Sequence, residues 1–275
     1  MSYNPCVKQI ENNIVISGVK HFDLRQTFDC GQAFRWNEYE DGTWGAIVGK
    51  KRRKVGVKDG EIIIYNADIN EYESFWREYL DIDRDYGKII EKLSENDVLK
   101  NAAAENKGIR ILRQDKWETL CSFIISQNNN IPRIKGIVER LCENFGEETE
   151  EGFTFPDAEK IAALEPEDLS IIRAGFRARY IIDGARKYVS NGIDHNIIEK
   201  ADIDTARNEL MKIKGVGVKV ADCTLLFGYN RIDALPKDVW IKRAIEQFFD
   251  GKFPSCAKGY EGIAQQYLFN YIRNL

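Results

Sequence analysis

The apolar residues follow two different spacings, and the change comes near residue 70. Before it, short β-type stretches are separated by turn pairs such as Asp41-Gly42 and Asp59-Gly60, which is typical of antiparallel strands. The predicted strands are Ile14 to Ile16, Trp44 to Val48, Val55 to Val57 and Ile62 to Tyr65. Beyond it, apolar side chains recur every three or four positions, as in Trp117, Leu120, Cys121 and Ile124, which indicates that the remaining two hundred residues are helical. The pattern predicts an α+β fold, with a small antiparallel sheet domain in residues 1–107 and a larger helical domain in residues 108–275.

Two helix starts can be placed from their capping residues. Pro132 lies two residues after Asn130, which is the arrangement of a first-turn proline behind an asparagine N-cap. In the same way, Pro236 precedes a helix that we expect to begin around Asp238.

Length and composition exclude several classes of protein. A chain of 275 residues can bury a core large enough to fold without disulfide or metal staples. It has no apolar run of the roughly 18 residues needed to cross a bilayer, and its N-terminus lacks the basic start and apolar stretch of a signal peptide. We therefore expect an intracellular protein with no membrane partner.

The cysteines and histidines offer little material for a metal site. The six cysteines, at positions 6, 30, 121, 142, 223 and 256, are scattered and include no CxxC pair. His21 and His195 are far apart and have no neighbouring ligands, which also disfavours a Ser/His/Asp triad. Near matches to a P-loop and to a dinucleotide fingerprint fail at required positions. The sequence thus predicts no metal and no cofactor, and any catalysis would rest on lysines and carboxylates.

The charge distribution permits DNA binding without a basic overall composition. The net charge is −4, but counterion release needs only a local cationic face, and many acidic residues cluster between Glu147 and Asp168. The basic run Lys50 to Lys54, KKRRK, is a candidate DNA patch. Charge runs near hairpins are more commonly solvated edges, and that interpretation is favoured.

One segment joins two predicted helices through a glycine turn. In Leu210 to Cys223, LMKIKGVGVKVADC, an amphipathic helix is expected to end at Lys214, and a second helix begins after Gly-Val-Gly. Gly215 and Gly217 would permit positive φ angles and a close approach of the main chain, so that free N–H groups of the second helix could meet a phosphate oxygen. Such a helix-hairpin-helix grips DNA without reading its sequence. The segment alone is equally compatible with an ordinary helix pair joined by glycines.

Two ionisable residues near this turn could carry covalent chemistry. Lys219 falls in the first turn of the second helix, where the helix dipole and the nearby Lys212 and Lys214 disfavour another positive charge. A neutral amine there could attack C1′ of a sugar and form a Schiff base. Asp238 is expected to cap the following helix, and its carboxylate could stabilise an oxocarbenium-like sugar or help to activate the lysine. For each residue taken alone, a surface lysine and a plain helix cap are simpler interpretations.

At this point the residues resemble the 8-oxoguanine DNA glycosylase family of the helix-hairpin-helix superfamily. The resemblance covers Phe22 to Trp36 (FDLRQTFDCGQAFRW), Gly108 to Cys142, Gly175 to Tyr180 (GFRARY), Leu210 to Val239 and Glu261 to Arg273. It implies a TATA-binding-protein-like sheet domain followed by a helical glycosylase domain. We expect a monomeric base-excision repair enzyme, a glycosylase with AP lyase activity, whose partner is damaged double-stranded DNA.

The resemblance also implies roles for individual residues in catalysis and in recognition of the damaged base. Lys219 would be the nucleophile and Asp238 its carboxylate partner. The carbonyl of Gly31 would recognise the lesion, because 8-oxoguanine carries N7–H where guanine presents a lone pair. Cys223 and Phe269 would sandwich the extruded base, and Gln265 would read its Watson-Crick edge.

Four further residues match positions that contact the DNA around the extruded nucleotide. Asn128 would fill the vacated stack and contact the orphaned cytosine, which Arg133 and Arg177 would hold. Phe176 would be an aromatic wedge at the neighbouring step. Each alone would be read as a polar loop residue, a solvated charge or core packing, and it is their joint occurrence that favours function.

One position departs from the family pattern, and two other functions stay open. Trp240 stands where the better-known members have a histidine, which puts the 5′ side of the lesion site in doubt. A sister glycosylase acting on alkylated purines would use the same fold, although Lys219 disfavours members that lack a nucleophile. A non-catalytic helix-hairpin-helix DNA-binding module is the alternative from another class.

Overall fold

The computed structural model describes residues 3–273, and its N-terminal part is built on a six-stranded antiparallel sheet in the order β1-β2-β6-β5-β4-β3. The strands are β1 (Cys6–Ile10), β2 (Asn13–Ser17), β3 (Asn37–Glu38), β4 (Trp44–Val48), β5 (Lys51–Lys58) and β6 (Glu61–Tyr65). The four strand stretches expected from the apolar spacing all fall within these strands. The predicted α+β fold, with its sheet domain first, is confirmed.

Register and turn geometry of the sheet follow from its sequence. Ile14 pairs with Ile64 and Ile16 with Ile62, and all four side chains are buried, so that one face of the sheet carries the core. Between β5 and β6, Asp59 and Gly60 both have positive φ angles, 54° and 77°. This is the requirement of the two-residue turn that the Asp-Gly pair predicted.

Helices make up most of the remaining chain. In chain order they are α1 (Leu24–Phe28), α2 (Ile69–Glu71), α3 (Arg77–Tyr79), α4 (Tyr86–Leu93), α5 (Asp97–Asn106), α6 (Lys116–Ile125), α7 (Ile131–Phe145), α8 (Ala158–Ala162), α9 (Ala178–Val189), α10 (His195–Lys200), α11 (Ile203–Leu210), α12 (Val218–Gly228), α13 (Val239–Phe249) and α14 (Glu261–Arg273). A π-helical stretch, Tyr72–Trp76, joins α2 to α3, and 3-10 turns lie at Asp168–Ile172, Gly175–Arg177 and Ser255–Ala257.

Internal contacts divide the chain into two compact units. The sheet unit comprises Met1–Ala46, Arg53–Arg113 and Lys237–Leu275, and the helical unit comprises Ile47–Arg52 and Gln114–Pro236. In the sheet unit, α14 packs on α5 and α13. In the helical unit, α6 packs on α7, α9 and α12. The domain boundary expected between residues 107 and 108 stays a prediction.

The helical part departs from the sequence-based expectations at two places. A two-stranded hairpin, β7 (Glu148–Thr149) with β8 (Gly152–Phe153), interrupts the helices within the acidic stretch. The helix expected to end at Lys214 ends at Leu210 instead. The backbone N–H groups of Ile213 and Val216 donate to the carbonyls of Leu210 and Ile213, so the chain after α11 winds more tightly than an α-helix.

The basic run KKRRK is occupied by ion pairs within each unit. In the helical unit, Lys50 pairs with Glu147 at 2.8 Å, while in the sheet unit Lys54 pairs with Asp41 at 3.0 Å. Arg53 pairs with Glu71, and its guanidinium lies 3.5 Å from the centre of the Phe75 ring. A paired run is weak as a phosphate-binding patch, but Arg53 is half-buried rather than solvated, so the interpretation of the whole run as a solvated edge stays a prediction.

Neither a membrane-spanning helix nor a metal-binding cluster is present in residues 3–273. None of the helices in that range has the length and apolar character needed to cross a bilayer. Nor does that range hold three or more histidine, cysteine, aspartate or glutamate side chains grouped so as to bind a metal ion.

Candidate active site

The glycine turn of the helical unit connects α11 to α12, and its two glycines differ in backbone conformation and in packing. Gly215 has a φ of 80°, and a β-carbon there would lie 2.3 Å from Cδ2 of Tyr180. Gly217 is the N-cap of α12 with an extended φ of −99°, and a β-carbon there would meet no heavy atom within 4 Å. Both glycines permit a positive φ, and Gly215 adopts one whereas Gly217 does not. Because Gly217 has no side chain, it leaves the backbone N–H groups at the N-terminus of α12 without a side-chain cap.

Helix α9 holds this turn in place. Asp183 accepts a hydrogen bond from the backbone N–H of Lys214 at 2.6 Å, and Lys187 donates to the carbonyl of Lys212 at 2.6 Å. Lys187 also bonds Asp183 at 2.9 Å, and the ring of Tyr180 lies against Gly215. Residues 180, 183 and 187 share one face of α9, which is a signal the sequence contained but which points to no particular partner.

The hairpin is also pinned between its two helices. Arg207 on α11 donates from Nε to Oδ1 of Asp222 on α12 at 2.6 Å, and Asp222 is buried. A buried carboxylate needs such a charged partner, so this ion pair fixes how α12 lies on α11.

Lys219 occupies the first turn of α12, as expected, and its amine is half-buried against α6. Nζ donates to Oγ of Ser126 at 3.3 Å and lies 5.0 Å from the centre of the Phe123 ring. Cys223, four residues on, is buried one turn further along α12. Ser126 and Phe123 were not identified from the sequence, because no local pattern connects residues this far from Lys219.

In the QNNN loop between α6 and α7, the side chains of two of the three asparagines form hydrogen bonds with nearby backbone groups. Asn130 caps α7 by accepting from the N–H of Arg133 at 3.0 Å, with Pro132 in the first turn, so the predicted helix start is confirmed. Asn129 donates to the carbonyl of Ile125 at 3.1 Å. Asn128 is exposed, has a positive φ of 47°, and its side-chain amide makes no hydrogen bond among the described residues. That amide is left to a ligand or to water.

Arg177 and Phe176 lie just before α9 and differ in exposure. Arg177 is only 3% exposed, so it is not a solvated charge, and burial together with the nearby Arg133 lowers its pKa. Its guanidinium bonds carbonyls of the QNNN loop and lies 4.5 Å from the centre of the Phe176 ring. Phe176 itself is 43% exposed, as a wedge residue would be. Arg133 is also exposed.

Gly31 lies in the sheet unit, in a loop that both neighbouring residues fix. Its φ of 84° lies in the left-handed region, which favours glycine over residues with a β-carbon. Gln266 donates to the carbonyl of Cys30 at 2.9 Å. Gln32 donates to the carbonyls of Thr27 and Arg110 and accepts from the N–H of Leu112 at 2.9 Å. The loop is thus rigid on either side of the Gly31 carbonyl. Gln266 and Gln32 were not identified from the sequence.

Helix α14 carries Gln265 and Phe269 in the same unit. Gln265 is buried, and its Oε1 has no hydrogen-bond partner among the described residues. A buried acceptor without a donor costs about 1–3 kcal/mol, so Oε1 is available to a donor of a ligand or to a water molecule. Phe269, one turn along the helix, is half-buried, with the Arg273 guanidinium 5.2 Å from its ring centre.

Asp238 is the N-cap of α13, as predicted. Its Oδ1 accepts from the N–H of Ile241 at 2.8 Å, and no described residue of its own unit bonds Oδ2. The next two side chains are apolar and turned to solvent, with Val239 61% and Trp240 51% exposed. Trp240 therefore does not pack in the core of its unit.

Comparison with known proteins places this architecture in a class. Residues 14–120 match the family model of the 8-oxoguanine DNA glycosylase N-terminal domain, and residues 121–254 match that of the HhH-GPD superfamily of base excision DNA repair proteins. The sheet, the helical unit and the hairpin are therefore those of a helix-hairpin-helix base excision repair protein.

Solved structures narrow the assignment. An 8-oxoguanine glycosylase/lyase from Clostridium acetobutylicum, solved with duplex DNA containing cytosine opposite the lesion, is 34% identical, with a TM-score of 0.91 over 100% of this chain and 99% of that one. A protein called MBOgg1, in complex with a low-affinity DNA ligand, is 39% identical, with a TM-score of 0.91 over 98% and 99% of the two chains. The chain belongs to the 8-oxoguanine DNA glycosylase family, as the motif resemblance predicted.

Curated sequences extend the likeness over part of their length. The N-glycosylase/DNA lyase of Saccharomyces cerevisiae is 40% identical over 153 residues, which are 50% of this chain and 41% of the yeast protein. For the probable N-glycosylase/DNA lyase of Methanothermobacter thermautotrophicus, 30% identical, the aligned part is 61% of this chain and 64% of the relative. The alignment thus spans less than two thirds of the length of either relative.

Proposed function

We propose that this protein is a DNA glycosylase with AP lyase activity that removes 8-oxoguanine from duplex DNA. Its proposed location is intracellular, in the cytoplasm or nucleoid of a prokaryote or the nucleus of a eukaryote. The supporting observation is the half-buried Lys219 amine in the first turn of α12. The glycine turn lies directly before this helix, and no side chain covers the helix N-terminus at Gly217. A helix N-terminus of this kind favours a phosphate, which would bring the DNA backbone close to the amine. A DNA-binding module without catalysis has no need of a lysine held there.

The proposed reaction begins with extrusion of the damaged nucleotide from the duplex. Lys219 Nζ, once deprotonated, forms a bond to C1′ while the bond from C1′ to the base breaks, and the base leaves with the electron pair and takes up a proton. The nitrogen then loses both of its protons as the C1′–O4′ bond breaks and O4′ takes up a proton, which gives an imine. In the β-elimination a proton leaves C2′, a C2′–C3′ double bond forms, and the C3′–O bond breaks with the 3′ phosphate as leaving group, which nicks the strand.

Asp238 is proposed to support this step through its charge. Capping of α13 occupies Oδ1 and holds the carboxylate in one orientation. Oδ2 would then face positive charge as it develops on the sugar, which a fixed carboxylate stabilises without reorganising.

Recognition of the base is proposed to involve Gly31, Gln265, Cys223 and Phe269. The Gly31 carbonyl would accept N7–H of 8-oxoguanine and repel the N7 lone pair of guanine. Gln265 Oε1, a buried acceptor without a donor, suits the N–H groups on the Watson-Crick edge of a guanine derivative. Cys223 and Phe269 would stack on the two faces of the ring.

Contacts with the duplex are assigned to the hairpin and to the QNNN loop. Gly215 and Gly217 would let main-chain N–H groups bind a phosphate. Asn128 would enter the vacated stack, Arg133 would hold the orphaned cytosine, and the exposed Phe176 would wedge the adjacent step.

Borohydride trapping tests the nucleophile. With a duplex that carries 8-oxoguanine opposite cytosine, wild-type protein should give a covalent protein-DNA adduct, and Lys219→Gln should give none. Lys214→Gln is the matched control, because it removes the same charge from an exposed side chain of the same hairpin and should still be trapped. Trapping that persists in Lys219→Gln would refute the assignment of the nucleophile.

Base release tests the substrate. Duplexes with 8-oxoguanine opposite each of the four bases are compared with alkylated DNA. Release of 8-oxoguanine supports the proposal, whereas release of alkylated purines alone would make the protein a sister glycosylase. Binding without release of any base would make it a DNA-binding module.

A further inference from the structure

One hydrogen bond links helix α14 to the loop that carries Gly31. Gln266 Nε2 donates to the carbonyl of Cys30 at 2.9 Å, across 236 residues of sequence. Both residues belong to the sheet unit and both are buried, with Gln266 3% and Cys30 2% exposed. A backbone carbonyl at this depth needs a donor, and Gln266 supplies it.

This bond orients the peptide group that comes directly before Gly31. Because a peptide group is planar, a donor held on the Cys30 carbonyl fixes the orientation of the whole group between Cys30 and Gly31. On the other side, the side chain of Gln32 makes three hydrogen bonds to backbone groups of the same unit. Gly31 is therefore held from both sides, and Gln266 provides one of the two attachments.

The same bond connects the two residues that are proposed to read different edges of the damaged base. Gly31 directly follows Cys30, and Gln265 directly precedes Gln266. N7–H and the Watson-Crick edge lie on different sides of one purine, so both can be read at once only when the two groups keep a fixed spacing. A hydrogen bond between their immediate neighbours in the chain holds that spacing.

Of the two segments that this bond joins, the loop depends on it more than the helix does. Helix α14 packs on α5 and α13, and every residue from Gly262 to Leu268 is buried. Gly31, by contrast, has a φ of 84°, and a glycine populates positive and negative φ about equally when nothing holds it. Loss of the bond should therefore release the Gly31 loop and leave Gln265 in place.

We infer that Gln266 is a positioning residue for lesion recognition, which holds the Gly31 carbonyl where it meets N7–H of a base whose Watson-Crick edge is at Gln265. The inference deepens the proposed function and rests on it. Without Gln266 the hydrogen bond to N7–H is lost or weakened. The preference for 8-oxoguanine over guanine should then fall about 2- to 12-fold, the factor for one hydrogen bond that replaces a bond to water.

Gln266→Met tests this role, because methionine is also unbranched and of similar length but has no N–H donor. Binding is measured in Lys219→Gln protein, which should release no base, with duplexes that carry either 8-oxoguanine or guanine opposite cytosine. Adding Gln266→Met should lower the ratio of the two dissociation constants about 2- to 12-fold. The loss should fall on the lesion duplex, while guanine duplex is bound within about twofold of the parent, because phosphate contacts dominate that binding.

A third duplex separates positioning of Gly31 from general damage to the pocket. 8-Oxohypoxanthine keeps N7–H but lacks the 2-amino group on the Watson-Crick edge. The preference for 8-oxoguanine over 8-oxohypoxanthine should be unchanged by Gln266→Met and should fall with Gln265→Leu. Loss of both preferences in Gln266→Met would show a merely structural role and would overturn the inference.

Asn106→Leu is the matched control for removal of a buried amide. Asn106 is 5% exposed, and its Nδ2 donates to the carbonyls of Ala102 at 3.0 Å and Tyr267 at 3.5 Å. Neither acceptor belongs to the Gly31 loop. Asn106→Leu should lower Tm and leave both preferences at the values of the Lys219→Gln parent. A fall in the preference over guanine in this control would show that any loss of stability has that effect, and would refute the specific role of Gln266.

An unchanged preference over guanine in folded Gln266→Met would also overturn the inference. If Gln266→Met does not fold, Gln266→Asn replaces it, because its amide is one methylene group too short for the Cys30 carbonyl and should give the same loss. An unchanged preference in that variant would be equally decisive. If the Lys219→Gln parent does not prefer 8-oxoguanine and wild type does not release it, the proposed function fails together with the inference. A parent that prefers the lesion, with the same preference in Gln266→Met, refutes the inference alone.

Discussion

The two glycines of the hairpin should respond oppositely to the same substitution. At Gly215 a methyl group would lie 2.3–2.6 Å from three atoms of the Tyr180 ring, at a φ of 80°. At Gly217 it would meet nothing within 4 Å, at a φ of −99°. Gly215→Ala should therefore lower the stability of the protein. Gly217→Ala should leave the stability nearly unchanged and weaken the binding of DNA at the N-terminus of α12.

The magnitudes follow from backbone strain and packing. A left-handed alanine costs about 1–2 kcal/mol, and overpacking against the Tyr180 ring adds about 1–3 kcal/mol, because Tyr180 sits on α9 and cannot move independently. Gly215→Ala should thus lose about 2–5 kcal/mol of the free energy of unfolding. At Gly217 the loss of a favourable N-cap residue costs about 0.5–1 kcal/mol, and the stiffer unfolded chain offsets it by a similar amount.

Thermal unfolding and DNA binding together check the pair. For a chain of this size, 1 kcal/mol corresponds to about 2–4 °C, so Gly215→Ala should lower Tm by roughly 4–20 °C, while Gly217→Ala stays within about 2 °C. Binding of undamaged duplex, measured by fluorescence anisotropy at two salt concentrations, should weaken for Gly217→Ala about tenfold, because the methyl group holds the phosphate away from the N–H groups.

A Gly215→Ala variant with the Tm of wild type would refute the packing of the turn on α9. A Gly217→Ala variant that binds undamaged DNA as wild type does, with the same salt dependence, would refute the phosphate site at the N-terminus of α12.

Three further predictions concern the buried groups of the sheet unit. Burial raises the pKa of the Cys30 thiol to about 12, so a thiol reagent at neutral pH should modify the exposed Cys6 of the native protein and leave Cys30 unmodified until unfolding. The Cys30 thiol ionises near its ordinary pKa of 9.0 in the unfolded chain, so the stability that its protonated form contributes is complete below pH 9 and is lost as the pH rises from about 9 to 12. The Tm of Cys30→Ala should therefore decline less steeply with alkaline pH than that of wild type. Gln265→Leu removes a buried acceptor without a donor, so it should raise the free energy of unfolding by about 1 kcal/mol and slow the release of 8-oxoguanine about tenfold; a loss of stability with unchanged release would contradict its role.

Local sequence features predicted four of the strands and the places where two of the helices begin. The caps Asn130 and Asp238 and the turn at Asp59-Gly60 lie where expected, because each depends on a hydrogen bond or a dihedral preference within about four residues. The four β-type stretches likewise lie within strands of the sheet. The motifs identified the family, because each specifies residue types at fixed spacings along the chain.

The surroundings of each functional side chain depend on contacts between segments that are far apart in the sequence. Lys219 bonds Ser126 across 93 residues, and Arg177 bonds Gln127 across 50, so neither partner leaves a trace in local periodicity. The same holds for Arg52 of the basic run, which donates to Glu151 99 residues away. The early end of α11 depends on how its turn packs beneath α9. Burial, ion pairing and backbone positioning are set by contacts between distant segments, and such contacts exist only once the chain has folded.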